Sequence, residues 1–203
     1  MANEGVNNGR RRFLTATTAV VGAAGAAAGG YAFLSTWKPS ARAQGAGAPV
    51  EVDISKLDLE PGARMIVQWR GKPVWIFKRN GEQLGALPTL DGRLADPKSD
   101  NPDQTPAFAK NESRAIKPEI GVLVGICTHL GCSPLFVPEL QPQAFDSEWK
   151  GGFYCPCHNS RFDLAGRVFS GVPAPSNLEV PPYHFDKANA NRVVVGIAPE
   201  EAA

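Results

Sequence analysis

The sequence predicts an all-β head carried on one N-terminal transmembrane helix. Three observations point there. An uncharged run, residues 13–37, directly follows Arg10, Arg11 and Arg12. Beyond residue 50 the apolar residues fall into short β-branched and aromatic runs closed by Gly or Pro. Gly 21 and Pro 18 together make close to a fifth of the 203 residues, which favours many turns over a helical bundle.

The helix comes first. Twenty-five uncharged residues at about 1.5 Å each span roughly 37 Å, enough for a hydrocarbon core of about 30 Å. Trp37 and Lys38 stand where interfacial anchors belong. Arg11-Arg12-Phe13-Leu14 is similar to the core of a twin-arginine export signal, and a stretch this rich in Ala and Gly suits that route. Ala41-Arg42-Ala43 fits a small-x-small cleavage site, but the length of the run and its flank favour a retained anchor. The arginines then hold residues 1–12 in the cytoplasm and put the head across a bacterial inner membrane, on the periplasmic side. Residues 39–49 contain no large apolar side chain and read as a flexible hinge.

The head, residues 50–203, follows. Strands are expected at 50–54, 65–69, 74–78, 120–126, 152–154, 180–185 and 192–197. Residues 80–119 read as a long loop with one short helix. Charge excludes two classes. The whole chain carries +1, so it is not a bulk-charge nucleic-acid binder or an acidic solvating tail. The charge is uneven: residues 1–48 hold five basic groups and one acid, net +4, and the rest 16 and 19, net −3.

The chemistry sits in two boxes, Cys127-Thr128-His129-Leu130-Gly131-Cys132 and Cys155-Pro156-Cys157-His158-Asn159-Ser160. All four Cys and two of the three His lie there, which indicates one site. Each box has a Cys and a His at ligand spacing, and each has one further Cys. Two thiolates and two neutral imidazoles suit zinc, and equally suit a two-iron cluster in which His replaces Cys on one iron. Zinc sites usually group like ligands, whereas each box here mixes one Cys with one His. That arrangement favours iron–sulfur, two loops each giving one ligand to each metal.

The boxes resemble those of the Rieske iron–sulfur family, above all the Rieske subunits of bacterial cytochrome bc complexes. Gly171-Val172-Pro173-Ala174-Pro175 is similar to the family's proline loop. The resemblance implies antiparallel sheets and a small cluster-binding subdomain over about 121–180. It implies a Rieske [2Fe-2S] cluster with Cys127 and Cys155 on the inner iron and His129 and His158 on the outer one. It implies a disulfide between Cys132 and Cys157, a Ser160 hydroxyl donating to a bridging sulfide, and Leu130 shielding the cluster. It further implies an electron-transfer subunit that takes an electron and a proton from quinol and passes the electron to a c-type cytochrome. His158, with His129 second, would face the quinol. A cytochrome b subunit and a c-type cytochrome subunit would be partners in a dimeric complex, with the head swinging on residues 39–49. The alternative is the small subunit of another exported oxidoreductase, such as an arsenite-oxidase-like enzyme. Two positions depart from the family pattern: Phe162 stands where a Tyr is common, and Asn159 where Gly is usual, a place that needs positive φ.

Other residues read as structural. His184 lacks a ligand partner, Trp69, Trp75 and Trp149 read as packing, and Asp163-Leu164-Ala165-Gly166 reads as a turn.

Overall fold

A computed structural model describes residues 5, 7–58 and 63–202. The chain divides into two compact units, residues 1–45 and 46–203. The first is dominated by α1, Asn8–Ser35, of 28 residues. Asn7 caps it, its side chain accepting the Arg10 N–H at 3.1 Å. Its side chains are exposed and it is long and apolar enough to cross a membrane. Within the segment expected as a hinge, α2 covers Ala41–Ala46. One isolated six-residue helix is marginal in water.

Among the described residues the head contains three antiparallel three-stranded sheets. The first orders β1 (Val50–Asp53), β9 (Arg192–Val195) and β8 (Tyr183–Phe185). The second orders β2 (Arg64–Trp69), β3 (Lys72–Lys78) and β4 (Ile120–Val124). The third orders β5 (Leu135–Val137), β6 (Gly152–Cys155) and β7 (Ser160–Asp163). β3 is the middle strand of its sheet, and Val74, Trp75, Ile76 and Phe77 are buried on both faces, as a continuous apolar run requires. Phe153 of β6 joins the second and third sheets: its ring stacks on Trp75 at 5.0 Å and meets Phe77 edge-on at 5.4 Å.

The expected strands are present, with differences that have local causes. β8 starts at Tyr183, not at 180, because Pro181-Pro182 has no N–H to give a ladder. β5 and β7 were not expected. β5 is three residues between Pro134 and Pro138, and β7 reads as Ser-Arg-Phe-Asp, with one apolar side chain in four. Residues 80–119 contain the short helix expected, α3 (Gly81–Ala86), closed by a capping box between Asn80 and Gln83, but also two 3-10 helices that were not expected, Leu87–Arg93 and Ala107–Ala109. Trp69, Trp75 and Trp149 are buried, and the His184 ring lies 3.2 Å from the Ile197 carbonyl, in packing roles.

Candidate metal centre

The first box leaves the end of β4 and turns back on itself. Cys127 N–H donates to the Cys132 carbonyl at 2.7 Å and Gly131 N–H to the Cys127 carbonyl at 3.0 Å. The second box is the hairpin loop between β6 and β7, closed where Cys155 pairs with Ser160. Asn159 holds this loop in the left-handed region at φ 63°, a conformation Asn tolerates better than most residues. Its N–H donates to the Cys155 carbonyl at 3.0 Å, and its side-chain oxygen accepts the Tyr154 hydroxyl.

Cys132 and Cys157 form a disulfide that joins the two loops. Cys127 and Cys155 are free and buried. The Cys155 sulfur lies within 4.8 Å of both disulfide sulfurs. Those two have no thiolate to offer, so the sulfur ligands available are Cys127 and Cys155. Burial pushes the Cys127 thiol up; the His129 backbone N–H and the Ser160 hydroxyl, both directed at its sulfur, oppose that. The His129 and His158 rings face each other edge-to-face with centroids 4.7 Å apart. His129 Nδ1 is buried with no hydrogen-bond partner among the described residues, while His158 is exposed. A buried imidazole nitrogen with no partner costs stability unless something binds there. This donor set, two sulfurs and two imidazoles from two loops, fits a Rieske-type cluster.

The surroundings tie the loops to the proline loop. Ala174 N–H donates to Ser160 Oγ at 3.0 Å, and Thr128 Oγ1 to the Ser176 carbonyl at 2.7 Å. Leu130 stands outermost, 71% exposed. A groove of about 710 Å³ opens beside His158, between Pro173 and the stacked pair Phe145 and Tyr154, whose centroids are 4.0 Å apart. The segment carrying Phe145 is held by Asp146, which accepts both Arg93 Nη2 bonds at 2.8 and 2.9 Å and lies 3.4 Å from Arg161. Neither the Tyr154–Asn159 contact nor this clamp is visible in sequence spacing.

Residues 99–183 match the Rieske [2Fe-2S] domain, and residues 1–40 match the Ubiquitinol-cytochrome C reductase Fe-S subunit TAT signal. The chain is 55% identical over 199 residues to the ubiquinol-cytochrome c reductase iron-sulfur subunit of Allochromatium vinosum, covering 97% of this chain and 92% of that one. The chain belongs to this family of Rieske iron–sulfur subunits. It is also 40% identical to the corresponding subunit of Blastochloris viridis, over 93% of this chain and 94% of that one. As a Rieske subunit it binds a [2Fe-2S] cluster. The export signal and the single apolar helix fit an exported, membrane-anchored subunit.

Proposed function

We propose that this Rieske subunit moves electrons from quinol to a c-type cytochrome within a bc complex, its cluster held by Cys127, Cys155, His129 and His158. The observations that support the ligand set are two buried free thiols, one on each loop, and one imidazole on each loop with ring centroids 4.7 Å apart, the His129 Nδ1 having no hydrogen-bond partner among the described residues. When bound, the cluster takes up and releases one electron.

The chain's own residues do the rest. The thiols are kept from water by the core into which Cys127 and Cys155 are packed. The Ser160 hydroxyl and the His129 N–H donate to the Cys127 sulfur, which favours a more negative centre and raises the potential. His158 is exposed; with one ring nitrogen on the iron, its outer nitrogen would accept the quinol's proton only when that ring is deprotonated, a form the positive metal charge favours. Leu130 and Pro173, on the outside of the same tip, exclude water when the tip docks. The docking partner is a cytochrome b subunit, the acceptor a c-type cytochrome subunit, and the assembly a dimer. The head lies in the periplasm, with residues 13–38 as the anchor, 39–49 as the hinge and the cluster-binding subdomain at about 121–180. Electron paramagnetic resonance on reduced membranes, with and without a quinol-site inhibitor, tests this. A Rieske signal that the inhibitor shifts supports cluster and partner together; a signal indifferent to it removes the quinol.

Two further results are expected. Phe162 lies on the same face of β7 as Ser160, two residues on, and is fully buried. A hydroxyl there reaches toward a ligand sulfur, and a bond stronger in the reduced state by about 1 kcal/mol shifts a one-electron couple by about 40 mV. Phe162→Tyr therefore raises the midpoint potential by about 40–60 mV and Ser160→Ala lowers it; an unchanged or lower value in Phe162→Tyr means that the ring points away. Separately, prolines across residues 41–47 slow quinol oxidation severalfold while the cluster spectrum stays unchanged. Full turnover with such a stiffened segment removes the swinging head.

A further inference from the structure

Three arginines are buried at the base of the cluster loops. Arg79, Arg114 and Arg167 are 2%, 1% and 1% exposed. They converge on the turn that follows β7. Arg79 Nη1 donates to the Leu164 carbonyl at 3.1 Å and the Ser113 carbonyl at 2.7 Å. Arg114 Nη1 donates to the Ala165 carbonyl at 2.9 Å and its Nη2 to the Leu178 carbonyl at 2.7 Å. Arg167 Nε donates to Asp163 at 2.8 Å, and its Nη1 to Asp91 at 2.8 Å.

The charges do not balance. Asp163 is the buried carboxylate among them, and Asp91 is half-exposed at the rim. Asp96 and Glu119 are the other acids whose charge reaches Arg114 and Arg79, respectively. Arg79 Nε and Nη2 have no hydrogen-bond partner among the described residues. Arg79 and Arg114 donate mostly to neutral carbonyls, which satisfy hydrogen bonds but leave the charge in place. Burial pushes both down to about 10, which still leaves them protonated at neutral pH.

We infer that this cluster, three guanidiniums to one carboxylate among its fully buried groups, raises the reduction potential of the iron–sulfur centre by acting through the protein interior. The inference rests on the ligand assignment above. β7 connects the two sites: Ser160 at its start pairs with Cys155, and Leu164 follows its last residue, Asp163, about 13 Å along at 3.3 Å per residue. Between them Phe153 and Phe162 are fully buried, so no solvent intervenes to screen the field. Reduction adds one negative charge to the centre, which nearby positive charge favours. At an effective dielectric of about 20, one unit charge at that distance changes the redox equilibrium by about threefold to tenfold.

The test is a redox titration, followed by electron paramagnetic resonance, on membranes carrying the full chain. Arg79→Gln should lower the midpoint potential by about 30–60 mV, the same threefold to tenfold converted for one electron. Arg79→Lys, which keeps the charge, should stay near the parent. Asp163→Asn should move it upward by a similar factor. That opposite sign separates charge from mere loosening, which would admit water and displace both variants the same way. If Arg79→Gln loses the cluster, Arg114→Gln and Asp163→Asn decide. Shifts of one sign for Arg and Asp variants, no shift with the signal intact, or loss of signal in Arg79→Lys as in every neutralised variant overturns the inference. A parent chain with no Rieske signal would instead sink the cluster assignment itself.

Discussion

Replacing Cys127, Cys155, His129 or His158 removes the iron–sulfur signal completely, whereas Cys132→Ser and Cys157→Ser keep a weakened fraction of it. The difference follows from what each side chain has to give. The chain's four Cys are two free thiols and one disulfide, and its third His packs at Ile197 in the far sheet, so a lost ligand has no substitute. The disulfide carries no ligand and acts on loop order. It closes 25 residues, for which the chain-entropy relation gives about 3.5 kcal/mol. For a domain of this size that is a loss of about 7–14 °C in Tm. Iron content and melting curves of the six variants check it, and complete cluster loss in all six defeats the distinction.

Gly152→Ala unfolds the cluster hairpin at temperatures where the parent is intact. Gly152 starts β6 and pairs with Asp163 of β7 and Val137 of β5. A methyl group there overlaps the Phe162 carbonyl oxygen and comes within 2.9 Å of the Asp163 Cα. Both are backbone atoms of the neighbouring strand, so no rotamer change relieves the contact. A cost of about 3 kcal/mol or more is expected, a large share of the 5–15 kcal/mol typical of a domain. Gly171→Ala is the control: its φ is +72° but a methyl group meets no atom within 4 Å, so the backbone penalty alone, about 1 kcal/mol, applies. Thermal melts that rank the two equally contradict the steric account.

The proposed ligand set can be read from the sequence because its chemistry leaves few options. Cys and His are rare here, and six of the seven such residues fall in two short boxes. The strands of the core were legible because Val74–Phe77 and Val193–Val195 are dense β-branched or aromatic runs. β7 was not, because its two inward positions are a Ser and a Phe whose placement depends on partners elsewhere: Ala174 for one, Phe153 and Val168 for the other. Nothing in the sequence sets Arg79 and Arg114 apart from the other cations. Only the fold shows that carbonyls from the turn after β7 and from residues 104, 113 and 178 surround them. Asn159 stood out as an unusual residue for its position, and its positive φ agrees with that reading, but the Tyr154 hydroxyl on its side chain comes from the preceding strand's register.

The hydrogen bonds from Ala174 to Ser160 and from Thr128 to Ser176 have a consequence for the order of maturation. A twin-arginine substrate folds before it is exported, in a compartment whose reductants keep cysteines as thiols. While the chain waits there, the bridge between Cys132 and Cys157 cannot yet hold its two loops in register. The segment at 174–176 is then the brace: it grips one loop through Thr128 and the other through Ser160, without any covalent bond. The cluster can be inserted into a pocket already shaped by these contacts, and on the proposed periplasmic location oxidation after export would lock in place an arrangement the chain had reached on its own.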